Sequence, residues 1–240
     1  MAPASGRVSR EARGGGRRAR AARRRQAQVA RLIRAVAAQI VRVDPVAPDE
    51  RVLRDAAQVL RRGGLVAFPT ETFYGLGAAA LDRAAVRRVF EIKGRPASMP
   101  LLVLIDAPAR LRDVVDDIPP RAQPLIDRHW PGPLTLVFRA AAHVPSELTA
   151  GTGTVGVRVP SHRVPRALVT QLDGAITAPS ANRTGAAPPT TANAVLAYFG
   201  DALDLILDAG PTAGGQPSTV VDVTADPPRV IRHGAITLAP

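Results

Sequence analysis

The sequence predicts an α/β domain with a buried mixed sheet, preceded by a basic N-terminal extension. Two observations carry the fold class. Short apolar runs alternate with segments of helical period, which is how strands and helices alternate in layered α/β proteins. Most of the connections that follow those runs are rich in Gly, Pro, Ser and Thr. A third observation separates the extension from the domain. Residues 1–47 hold twelve arginines and two acids, Glu11 and Asp44, or +10 of the chain's +12, and the rest is nearly neutral.

Each element has its own signal. Residues 1–27 are Arg, Ala and Gly with almost no large apolar side chain, so they read as disordered. Residues 28–42 carry Val29, Leu32, Ile33, Val36 and Ile40 at helical spacing and read as a basic amphipathic helix. Pro45 and Pro48 punctuate the boundary, which puts the extension at 1–47 and the folded domain at 48–240, starting near Asp49. A helix over 50–62 stops at Gly63-Gly64. Leu65–Phe68 reads as a strand, and Asp82 caps a helix running to about Ile92. Then follow a strand at 101–105, a helix at 119–129, and strands at 134–138 and 155–159. A helix at 163–172, a short strand at 175–178 and a helix at 191–199 come next. Strands at 203–207, 219–223 and 229–232 close the chain.

Composition excludes several chemistries. With no cysteine there is no disulfide, thiol nucleophile or thiolate metal site. His129, His143, His162 and His233 show no metal-binding spacing, so no metal site is expected. No apolar run is long enough to span a bilayer and the start lacks a secretory core, so the expected compartment is the cytoplasm and no membrane partner is expected. Lys93 is the single lysine among 32 basic residues, which suggests a place for an ammonium rather than a guanidinium.

Six connections stand out: Pro69–Gly77, Lys93–Pro96, Trp130–Pro133, Gly151–Thr154, Pro179–Asn182 and Gly214–Thr219. Each is also an ordinary turn composition. Together, at strand ends, their hydroxyls, amides and few cations suit a phosphate or carboxylate ligand. In an extended segment Lys93 and Arg95 would share a face. Gly151–Gly156 matches G-x-G-x-x-G, but it precedes a strand instead of following one, so a Rossmann reading fails. No Walker A pattern occurs.

In order, PTETFYGLG, KGRP, SMPL, WPGPLT, TVGVRVP, APSANRTG and GGQPSTVVD resemble the YrdC-type family of threonylcarbamoyl-AMP synthases, over about residues 50–235. The resemblance implies a single YrdC-like α/β domain with a twisted mixed sheet and helices around an open basic cleft. The chain's end at Pro240 fits the family's short form. It also implies a nucleotidyltransferase that takes ATP, L-threonine and bicarbonate or CO2 and releases pyrophosphate. Mg2+ would arrive with the ATP. The product would pass to a threonylcarbamoyl transferase complex for tRNA modification, and the basic tail would bind tRNA weakly.

Carried over position by position, Lys93, Arg95, Ser180 and Asn182 form the catalytic K-x-R…S-x-N set. Lys93 and Arg95 would face the nucleotide phosphates from solvent. Thr72, Leu104, Arg158, Ala178 and Ser218 fall at the threonine site, with Arg158 on the carboxylate. Met99, Thr154, Pro188 and Arg232 join Lys93, Arg95 and Ser180 on the nucleotide side, Met99 and Pro188 through backbone or packing. Leu104 stands where the family usually has histidine, and Phe73 where an aliphatic residue is commoner. Three other readings stay open: an RNA-binding protein using the cleft and tail, a carbamoyltransferase module, and an inactive regulator. The low aromatic content argues against the first, and the missing cysteines against the second.

Overall fold

The computed structural model describes residues 38–238, which form one compact unit. Its strands make two mixed sheets instead of the single sheet expected. The four-stranded sheet contains β1 (Gln39–Arg42), β2 (Val66–Pro69), β3 (Tyr74–Gly77) and β8 (Leu205–Asp208), in the order β1-β8-β2-β3. The six-stranded sheet contains β4 (Leu102–Leu104), β5 (Leu134–Arg139), β6 (Thr154–Arg158), β7 (Ile176–Thr177), β9 (Thr219–Asp222) and β10 (Arg229–Arg232). Its order is β10-β9-β5-β6-β4-β7. Each sheet mixes parallel and antiparallel pairs.

The two sheets are stitched where β3 runs beside the β7 segment. Gly75 bridges Ser180, Ala79 bridges Ile176, and Leu76 N–H donates to Pro179 O at 2.8 Å. Gly75 leaves room for the Phe68 ring of the paired β2, because a Cβ there would lie 2.9 Å from that ring.

The helices are α1 (Glu50–Arg61), α2 (Arg83–Lys93), α3 (Gln123–His129), α4 (Ser146–Thr149), α5 (Arg163–Leu172) and α6 (Ala192–Phe199). Asp49 and Asp82 cap α1 and α2 through their side chains, as N-cap carboxylates do. The buried face of α1 (Leu53, Ala56, Ala57, Leu60) packs on α5 (Val164, Leu168, Val169, Leu172) in one core, with Phe68 and Leu104. A larger core under the six-stranded sheet holds Leu136, Phe138, Val157 and Val221.

Two segments differ from expectation. The helix expected over 28–42 is a strand over Gln39–Arg42, which pairs in parallel with β8. Ile40 and Val41 are β-branched and gain more from an edge of the sheet than from a helix. The sheet therefore recruits residues that precede the expected start near Asp49. The rest of that helix, and the disorder expected over 1–27, lie outside the described residues. The Pro69–Gly77 connection is a hairpin whose second arm is β3, and register Phe68↔Gly75 joins it to β2.

Candidate functional site

A cleft of about 320 Å³ lies over one face of the six-stranded sheet, on the alternate residues Thr135 and Val137 of β5 and Thr154, Gly156 and Arg158 of β6. Its walls come from the β2–β3 turn, the segments at Arg95 and Pro100–Leu102, β5, β6, Ala178–Ser180, Pro217–Ser218 and β10. Arg95, Arg158 and Arg232 line it, and no carboxylate is among its lining residues.

Thr72, Arg158, Ala178 and Ser218 are among its lining residues. Thr72 is buried in the tight β2–β3 turn, where its Oγ1 lies 3.2 Å from Thr70 Oγ1. Arg158 ends β6 and is 4% exposed. Its Nε donates to Gly132 O at 3.2 Å, and its Nη2 lies 2.6 Å from Glu71 Oε1. The last is a charge contact without an aligned hydrogen bond. Burial raises the Glu71 carboxyl, but the Arg158 guanidinium outweighs it and the net shift is downward, so the pair is ionised. Ser218 is 3% exposed; its Oγ lies 2.9 Å from Thr135 Oγ1 and accepts from Arg232 Nη2 at 3.0 Å.

Arg95, Thr154, Ser180 and Arg232 line the same cleft, and Arg232 meets the first set directly at Ser218. Arg95 donates through Nε to Met99 O (2.9 Å) and through Nη2 to Pro100 O (2.8 Å). Arg232 donates through Nε and Nη2 to Ser218 O at 3.1 and 2.8 Å. Neither pairs with an acid among the described residues. Burial, and then the guanidinium of Arg232, pulls the Arg95 pKa down; burial, and then Arg158, does the same to Arg232.

Lys93 corrects the expectation of a solvent-facing phosphate ligand sharing a face with Arg95. It is the last residue of α2 and 3% exposed, and it is not among the cleft-lining residues. Gly94 takes φ +59°, so the chain turns at once and sends the two side chains different ways. Lys93 Nζ donates to Ser180 O at 2.5 Å and Asn182 O at 2.6 Å, while its own carbonyl accepts from Thr184 N–H at 2.8 Å. Burial, then Arg95, pushes its pKa down to about 8. Lys93 thus clamps the loop that presents Ser180. Asn182, also buried, secures the same loop through Nδ2 to Arg183 O and Ala186 O.

Three more expected residues lie off the cleft. Leu104 is fully buried among Phe68, Leu168 and Ile176, so the expected threonine-site position is a core position. The apolar contacts of α5 cover it, although β4 sets it in register with Arg158. Met99 is 43% exposed and contributes its carbonyl to Arg95. Pro188 is exposed. In turn, the sequence did not single out Glu71 and Thr135. Both sit inside quoted motifs, PTETFYGLG and WPGPLT, and Glu71 adjoins the chosen Thr72.

Residues 58–234 match the Sua5/YciO/YrdC family model, described as telomere recombination. A threonylcarbamoyl-AMP synthase of Pyrococcus abyssi is 46% identical over 190 residues, covering 79% of this chain and 56% of the relative. One of Thiobacillus denitrificans is 40% identical over 164 residues, covering 68% of this chain and 87% of the relative. Among solved structures, P. abyssi Sua5 complexed with L-threonine has a TM-score of 0.79 and 45% identity, with 82% of this chain and 57% of that one covered. The chain thus spans little more than half the length of its Pyrococcus relative.

Proposed function

Since the chain belongs to the Sua5/YciO/YrdC family, we propose that it is a nucleotidyltransferase that makes threonylcarbamoyl-AMP from L-threonine, bicarbonate or CO2, and ATP. The observation that carries the reading is the single cleft with two kinds of arginine. One is buried and paired with a carboxylate, and two are held only by carbonyls and a hydroxyl. The names of the relatives and the threonine in the Pyrococcus structure support it.

The chemistry needs no covalent enzyme intermediate. The threonine amine gives up a proton and its nitrogen bonds to CO2, forming a carbamate. A carbamate oxygen attacks the α-phosphorus, and the bond from that phosphorus to the bridging oxygen breaks as pyrophosphate leaves. The protein's work is to bring two anions together and stabilise charge on the phosphates. Arg158 offers a planar fork to the threonine carboxylate. Thr72 and Ser218 read the polar end of threonine. Arg95, Arg232, Thr154 and Ser180 face the nucleotide. Mg2+ would come as the counter-ion of the triphosphate. No cluster of His, Asp or Glu able to hold a metal occurs among the described residues, so no step runs through a protein-held ion.

The reading places the reaction in the cytoplasm, with a threonylcarbamoyl transferase complex as the consumer. Weak tRNA binding belongs to the basic tail. The test is pyrophosphate release from ATP, which is expected only when threonine and bicarbonate are both present. Release that ignores threonine would refute the reading.

A further inference from the structure

Arg158 needs more than one partner. A guanidinium that is 4% exposed is costly unless its charge is compensated and its donors are aimed. Two loops meet it, and a third holds Glu71. Gly132 O takes Nε, Glu71 Oε1 faces Nη2, and Ser161 N–H donates to the same Glu71 oxygen at 3.2 Å. Nη1 has no partner among the described residues, and Arg158 lines the cleft. Glu71 itself is not among the lining residues; its side chain is 17% exposed, and its Oε2 is buried without a partner. The carboxylate therefore grips one edge of the guanidinium from behind and leaves another edge for a ligand.

We infer that Glu71 is a positioning residue for the substrate carboxylate, aiming Arg158 at the cleft while keeping its charge compensated when the cleft is empty. A guanidinium has two edges that match carboxylates, so Arg158 can bridge Glu71 and the incoming ligand at the same time. The hairpin that bears Thr72 thereby also governs Arg158, one turn serving both contacts of the same ligand. Glu71 acts only through Arg158, and this role rests on the threonine reading proposed above.

The test is calorimetric titration of the full chain with L-threonine, and separately with ATP. Glu71→Ala is expected to weaken threonine binding by about tenfold or more, the loss of an aimed charge-assisted contact, with ATP binding unchanged. In an Arg158→Ala background the same change is expected to add nothing, because the two residues act as a unit. If the alanine variant does not fold, Glu71→Asp serves: it keeps the charge but withdraws it by one methylene, and threonine binding alone weakens. Unchanged threonine affinity in the folded variant, equal losses for both ligands, or additive losses in the double variant would overturn the role of Glu71. A wild-type protein that binds no threonine would overturn the functional reading itself, and this role with it.

Discussion

The cleft holds two regions of like charge built in opposite ways. At Arg158 the positive charge is buried and already answered by Glu71 at 2.6 Å. At Arg95 and Arg232 the charges sit at a more open rim, bonded to carbonyls and the Ser218 hydroxyl, with no acid paired to either among the described residues; burial and then Arg232 lowers the Arg95 pKa, and burial and then Arg158 lowers that of Arg232. A compensated guanidinium can accept one further carboxylate without demanding it. Crowded, uncompensated guanidinium groups are stabilised by a polyanion, in proportion to the charge it brings. On the proposed reading, the surroundings of each arginine, and not the count of cations, distinguish a carboxylate contact from a phosphate contact.

The largest effect is expected at Lys93, which supports the nucleotide side from behind. Lys93→Ala removes two charge-assisted bonds of roughly 1.5–3 kcal/mol each. The Ser180 loop is then unclamped, and kcat/KM for ATP is expected to fall by about a hundredfold or more, together with the melting temperature. Normal turnover in a folded variant would show that the loop holds its shape without the clamp.

The same residue gives a pH signature. Lys93 titrates near 8 when folded instead of 10.5, so ATP affinity is expected to fall as pH rises through 8. Stability moves the other way. The unfolded chain keeps the proton longer, so folding stability from this group rises between about pH 8 and 10.5. Lys93→Arg should abolish both trends, and a pH profile shared by wild type and variant would assign them elsewhere.

Leu104→His probes the back of Arg158. An imidazole without a partner in that core is expected to cost about 1–3 kcal/mol, read as a lower melting temperature, with threonine affinity unchanged. Tighter threonine binding would place position 104 at the pocket. The smallest effect concerns the tail. Removing residues 1–37 is expected to leave pyrophosphate release unchanged while reducing low-salt binding to tRNA. Extending the cut through Gln39–Arg42 takes β1 from the sheet and should lower the melting temperature as well.

Much of this was legible before any coordinates. Helices with capping aspartates and clear apolar faces lie where the sequence puts them, because their signals are local. β1 was not legible, since the spacing of Val36 and Ile40 fits a helix while its real partner, β8, lies far along the chain. β3 was read as loop because Gly75 and Gly77 look like turn residues, although they are glycines so that Phe68 can pack against the strand. In the site, five of the six connections, all but Trp130–Pro133, reach the cleft, bringing Thr72, Ser218 and Arg95 together with Arg158 of β6 and Arg232 of β10. The inward turn of Lys93 depends on the φ of Gly94, and the Glu71–Arg158 pair on how two distant segments meet. Gly94 does mark a helix end in the sequence, but which way Lys93 turns there, like the Glu71–Arg158 pair, is set by segments far along the chain.

The contrast between the two regions is tested most directly by steady-state pyrophosphate release with Arg158→Ala and Arg232→Ala, each titrated with threonine and with ATP. A charge-assisted contact of about 1.5–3 kcal/mol corresponds to roughly tenfold to a hundredfold in affinity. A crossed result is expected, in which Arg158→Ala raises the KM for threonine by that factor and leaves the KM for ATP alone, while Arg232→Ala raises the KM for ATP by that factor and the KM for threonine less, through its lost bonds to Ser218. Equal losses for both substrates in both variants would contradict it.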